Sequence, residues 1–119
     1  MFDPSFRMVV TFRIQPGKTA AAQEIAREIA GLVEREEPRT FNYEWHVSAD
    51  GSEFVLTEHY PDSDAYVPHL PRVGPLLDRL LAIARIDGML VLGDVDERVH
   101  AALAPLGARF LPRFSGFTR

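Results

Sequence analysis

The chain has 119 residues, 46% of them hydrophobic, a formal net charge of -4 and no cysteine. That length suits one domain with a core large enough to fold without staples, and the missing thiols exclude disulfides, thiolate metal sites and a cysteine nucleophile. The mildly acidic balance, with arginines scattered rather than striped, argues against a nucleic-acid footprint, and no stretch approaches the roughly 18 apolar residues of a membrane span.

At the start of the chain, Met1 to Arg7 lacks a cationic opening followed by an apolar run. A soluble cytoplasmic protein that engages neither nucleic acid nor membrane is therefore expected. From Phe6 to Ile14 the even positions Phe6, Met8, Val10, Phe12 and Ile14 are apolar and the odd ones are Arg7, Val9, Thr11 and Arg13, which predicts an amphipathic strand. Pro16-Gly17 ends it. Thr19 is placed to cap a helix in which Ala22, Ile25, Ala26, Ile29, Leu32 and Val33 keep the helical period until Pro38 forbids continuation.

The next stretch reads as a hairpin. Phe41, Tyr43, Trp45 and Val47 alternate with Asn42, Glu44, His46 and Ser48, and a second strand follows the turn dipeptide Asp50-Gly51. An even-numbered turn sets Val47 opposite Phe54, Trp45 opposite Leu56, Tyr43 opposite Glu58 and Phe41 opposite Tyr60, all on one face. Glu58 is the only acid in that row. Among rings, loss of hydration raises a carboxyl pKa unless a donor or cation compensates. The other face carries Asn42, Glu44, His46, Glu53, Val55, Thr57 and His59, with Arg7 and Arg13 projecting to the same side and able to pair with Glu44 and Glu53. His46 and His59 do not face each other, so no shared metal is expected.

Asp62 or Ser63 is placed to cap a short helix through Ala65, Tyr66, Val67 and His69, bent by Pro68 and Pro71. Gly74-Pro75 then predicts the opening of a second long helix with the stripe Leu76, Leu77, Leu80, Leu81 and Ala84. After Asp87-Gly88, Met89 to Leu92 reads as a short strand buried on both faces. Asp94 and Glu97 have capping-box spacing ahead of Val99, Ala102, Leu103 and Leu106, Gly107 falls where a left-handed residue would end a helix, and Arg109 to Phe114 reads as an edge strand because it contains Pro112. The order predicts an α+β fold: a ferredoxin-like split βαβ arrangement, an antiparallel sheet with helices on one face, plus a C-terminal helix and edge strand. A sheet covered on one face leaves the other free to pair with a twin, hence an expected homodimer.

Val10-Thr11-Phe12 leading to Pro16-Gly17, the strand Asn42-Tyr43-Glu44-Trp45, the strand end Glu58-His59-Tyr60, and Asp64-Ala65 leading to His69-Leu70 together resemble the antibiotic biosynthesis monooxygenase superfamily, whose members are dimeric α+β barrels. The resemblance implies a core of about residues 6–93 in a single 119-residue domain, with an extension over 94–119. It also implies oxygenases that act on phenols and quinols without flavin or metal, so no cofactor is expected. Glu58 and His69 are the candidate catalytic base residues, and Phe41, Tyr43, Trp45, Tyr60 and Tyr66 would bind a small hydrophobic or aromatic molecule as donors and stacking walls. The haem-degrading branch, with an asparagine on its first strand and a tryptophan near the end of its third, does not match, since the lone asparagine is Asn42 and Tyr60 holds the tryptophan's place. Two other outcomes keep the same fold: a non-catalytic dimeric small-molecule-binding or structural module, and an isomerase or lyase that uses the same pocket and base without oxygen; in a structural role Glu58 would be bonded to the Tyr43 hydroxyl or to a nearby arginine or histidine.

Overall fold

The computed structural model describes residues 3–119. In chain order it contains β1 (Phe6–Ile14), α1 (Thr19–Glu36), β2 (Asn42–Val47), β3 (Glu53–Tyr60), α2 (Ser63–Tyr66), α3 (His69–Leu81), β4 (Ala84–Leu92), α4 (Glu97–Leu103), a 3-10 turn (Ala104–Leu106) and β5 (Arg109–Leu111). The five strands lie in the order β2-β3-β1-β4-β5. The first four pair antiparallel, as the split βαβ arrangement requires, and β5 joins β4 in parallel, which makes the sheet mixed.

β1 has the predicted bounds, and its even positions are buried from Phe6 through Ile14. They meet Phe54, Leu56 and Tyr60 of β3 and Met89 and Val91 of β4 on the face beneath α1 and α3. Ala22, Ile25, Ala26, Ile29 and Val33 form the buried stripe of α1. Truncating a sealed member such as Ile29, 1% exposed, would cost about 2–5 kcal/mol in lost transfer energy plus an unfilled cavity. On the opposite face Val9, Thr11, Val55, Thr57 and Leu90 are only half-buried.

Five local expectations are corrected. Thr19 does not cap α1; Lys18 holds the cap position, and the Thr19 hydroxyl donates to the Gly51 carbonyl at 2.8 Å, tying the helix start to the hairpin tip. The hairpin loop is wider than two residues, since Ser48 N–H already donates to the Glu53 carbonyl, and residues 49–52 turn outside that pair. The loop is still even-numbered, so the register of Tyr43 with Glu58, Trp45 with Leu56 and Val47 with Phe54 holds. Asp50 stitches the wider loop by accepting from Ser48 Oγ, Ser52 Oγ and Ser52 N.

The second long helix begins at His69 and runs through Gly74-Pro75. Pro71 costs nothing in the first turn, where a backbone N–H has no helical partner, so only Pro75 removes an interior bond. Asp87-Gly88 does not precede the strand: it lies inside β4 at a bulge, with Thr11 opposite Gly88 and Phe12 opposite Ile86. The extra residue shifts the alternation, so Ala84 and Ile86 before it and Met89 and Val91 after it face the same core, and β4 is buried on one face rather than two. Finally, α4 is capped by Asp96, whose carboxylate accepts from Arg98 N and Val99 N, two residues later than the Asp94 spacing suggested. Gly107 does take the left-handed conformation, φ 85°.

Candidate functional site

Glu58 sits on β3 between Met8 of β1 and Tyr43 of β2, on the helix-covered face, and is 4% exposed. His69, the first residue of α3, is 3% exposed and brings its Nε2 to 3.7 Å from Glu58 Oε1. The expected neighbourhood of acid and imidazole is present. Tyr60 Oη donates to Glu58 Oε1 at 2.5 Å, so the phenol bonded to this acid is Tyr60, two residues along the same strand, and not Tyr43 across the ladder.

A further carboxylate completes the cluster. Pro38 pushes the residue before it out of helical conformation, and Glu37 accordingly has φ -126° and ψ 70° just past the end of α1. Its Oε2 lies 2.8 Å from His69 Nδ1 and accepts from Arg72 Nη1 at 3.0 Å, while Oε1 accepts from Thr40 Oγ1 at 2.8 Å. Glu37 is not among the residues that periodicity or motif singles out. The available signal was Glu37-Pro38 itself, which marks a carboxylate turned away from the solvated helix surface.

Burial pushes the Glu58 carboxyl above its ordinary value; His69 and the Tyr60 hydroxyl pull the other way without cancelling that rise, and Glu37 adds to it. Glu37 responds oppositely. Burial raises it, but the hydrogen bonds from His69, Thr40 and Arg72 together with the His69 charge outweigh burial and hold it below the ordinary carboxylate value. Burial, then the neighbouring Glu58, drives the hydroxyls of Tyr43, Tyr60 and Tyr66 well above 10, so all three remain neutral. The cluster thus pairs a carboxyl that resists ionisation with one that favours it, on either side of one imidazole.

Of these groups, Glu58 and His69 border an apolar hollow of about 30 Å³ lined also by Tyr43, Trp45, Tyr66, Met8, Met89 and Leu106. Leu106 comes from the C-terminal extension. A space of that size accepts one or two waters, and a ring-sized ligand needs its walls to part. Tyr43 and Trp45 are the walls in question, because both also line a neighbouring crevice of about 290 Å³ with Gln23, Ala26, Arg27 and Ala30 of α1. The Trp45 indole Nε1 is sealed from solvent with no acceptor among the described residues. Of the substrate-binding candidates, Tyr43, Trp45 and Tyr66 reach the hollow. Tyr60 stands behind Glu58, stacked on Phe6 at 5.3 Å and edge-on to Tyr66 at 5.0 Å. Phe41 departs from the register read in the sequence: it precedes β2, is 63% exposed and packs edge-on against His59 at 5.1 Å, away from the hollow. No group of three His, Asp or Glu side chains among the described residues is arranged to hold a metal ion. No helix among them is long and apolar enough to cross a membrane.

The sheet order and helix placement define a ferredoxin-like α+β protein. The family model for antibiotic biosynthesis monooxygenases matches residues 5–71, and the chain belongs to that family. Among solved structures, MupZ from Pseudomonas fluorescens superposes with a TM-score of 0.85 at 19% identity, over 97% of this chain and 94% of that one. A Caulobacter crescentus protein assigned to the antibiotic biosynthesis monooxygenases gives a TM-score of 0.68 at 21% identity, over 80% of this chain and 93% of that one. Rv0793 from Mycobacterium tuberculosis gives 0.64 at 22% identity, over 78% and 97%. Similarity at this level establishes the shared fold. No curated protein sequence matches.

Proposed function

We propose that the protein is a homodimeric, cofactor-independent monooxygenase acting on a small phenol- or quinol-like molecule. The supporting observation is the carboxyl–imidazole pair of Glu58 and His69, 3.7 Å apart at the edge of an apolar hollow walled by neutral tyrosines. A base there removes a phenolic proton, and exclusion of water strengthens every charge interaction with the resulting anion. The anion passes one electron to dioxygen, and the radical pair combines at a ring carbon to give a hydroperoxide. Loss of the proton from that carbon with cleavage of the O–O bond yields a quinone and one water, which accounts for both oxygen atoms. The homodimer reading is supported by family membership and by the half-buried row Val9, Thr11, Val55 and Thr57 on the sheet face opposite α1 and α3.

The test is oxygen uptake by the purified protein with a panel of hydroquinones and polyphenols under air, run beside Glu58→Gln and His69→Ala. Uptake in the parent protein, reduced by about 100-fold or more in both variants, is expected when a positioned acid or base is lost. No uptake on any substrate, with ligand binding unchanged in both variants, would make the protein a binding module. A second reading, an isomerase or lyase, is favoured by the coexistence of a carboxyl that resists ionisation with an imidazole beside it, since that pair can move protons without an oxidant. Turnover under anaerobic conditions would identify it.

A further inference from the structure

We propose that Glu37 is a positioning residue that fixes His69 in the tautomer with hydrogen on Nδ1 and a bare Nε2 facing the hollow, making His69 the base and Glu58 the acid, for a substrate with a hydroxyl close to a carbonyl. This inference rests on the proton-transfer role proposed above and divides it between the two side chains. A carboxylate accepts hydrogen bonds and donates none. At 2.8 Å from Glu37 Oε2, His69 Nδ1 is therefore the nitrogen that carries hydrogen. Thr40 Oγ1 and Arg72 Nη1 donate to the same carboxylate, so its ionised form is held from three sides and its oxygens are fixed in place. The other ring nitrogen is left to point at Glu58.

The division of labour follows from the hydrogen bond on the far side. Tyr60 Oη donates to Glu58 Oε1, which makes Oε1 the acceptor oxygen and leaves Oε2 to carry the acid proton. Nε2 and the Glu58 carboxyl, 3.7 Å apart, are too distant to bond each other directly and near enough to touch neighbouring atoms of one ligand. A molecule that gives its hydroxyl proton to Nε2 while its adjacent carbonyl oxygen receives a hydrogen bond from Glu58 uses both groups. The enol of a 1,3-diketone or an ortho-hydroxy aryl ketone has that pattern. Neither proton transfer changes the oxidation level of the substrate, so the assignment holds with or without dioxygen.

The experiment is nitrogen-15 NMR of the imidazoles in uniformly labelled protein at neutral pH, with His69→Gln used to assign its signals. The Nδ1-protonated form of His69 is expected to exceed the Nε2-protonated form by about tenfold or more, as a charge-assisted hydrogen bond would produce. In Glu37→Met, which keeps the bulk and removes the acceptor, the ratio should fall towards unity. Hydrogen on Nε2, or on both nitrogens, in the parent protein would overturn the proposal even if the variant does not fold, and an unchanged ratio in a folded Glu37→Met would overturn the role of Glu37. Because no substrate is needed, failure of the oxygen-uptake panel leaves this outcome unaffected. With a substrate in hand, Glu37→Met should lower kcat about tenfold or more while KM moves less than threefold.

Discussion

Glu37 and His69 are 32 positions apart in the chain, yet the Glu37 Oε2 to His69 Nδ1 distance is 2.8 Å, and both side chains are 3% exposed. Removing the carboxylate would leave His69, Thr40 and Arg72 donors without their acceptor. Glu37→Ala is expected to cost on the order of 2–4 kcal/mol, the range for breaking a buried charged network. Urea denaturation measures it; a loss below about 0.5 kcal/mol would be a surface-like response and would contradict the buried network.

The two carboxyls predict opposite dependences on pH. Glu37 titrates lower in the folded chain than its ordinary 4.5, so its stabilising contribution is complete above 4.5 and is lost as pH falls through the folded value. Glu58 titrates higher than 4.5, so its contribution is complete below 4.5 and is lost as pH rises through the folded value. Relative to the parent protein, Glu37→Gln should therefore lose less stability on acidification, and Glu58→Gln should lose less as pH rises above 4.5. Urea midpoints across that range check both; parallel curves for all three proteins would contradict the assignments.

At the hairpin tip, Gly51 has φ 75°, and a methyl group there would come within 2.8 Å of the Thr19 side chain that donates to the Gly51 carbonyl. Gly51→Ala combines a disfavoured backbone region with a clash, so a loss of about 1–3 kcal/mol is expected. Thermal unfolding should show a Tm lower by several degrees. Gly74→Ala, where an added methyl group meets open space within a helix, should be neutral or stabilising.

In the proposed homodimer the open sheet face is the contact surface, with Val9 of β1 opposite Thr57 on one side and Leu90 on the other. The parent protein should sediment as a dimer at micromolar concentration. Val9→Glu should shift it towards monomer with little change in far-ultraviolet circular dichroism, because the side chain lies outside the helix-covered core. A monomeric parent protein would rule out this assembly.

β1, α1 and the hairpin register were legible because each rests on strong local periodicity closed by a proline or an even-numbered turn. Glu58 was legible for the same reason: period-two alternation fixes its face before any partner is known. The bulge at Asp87 was not, because the dipeptide that normally turns a chain can also kink a strand when two neighbours hold it in the sheet. The start of α3 is not legible locally, because Gly74-Pro75 taken alone marks a helix opening, whereas the burial of Val73 and Leu80 holds the helix together across it. Glu37 escaped notice because its meaning lies in a partner beyond two strands and a short helix.

β5 occupies only Arg109–Leu111, yet it covers the outer side of β4, and Pro112 follows at once. The remaining free margin belongs to β2, six residues long and carrying Asn42, Glu44 and His46. A short polar margin on one side and a proline-terminated strip on the other make poor templates for further strands. Copies of this chain are thereby discouraged from knitting into an endless ribbon, and any pairing between them is channelled onto the broad surfaces of the sheet.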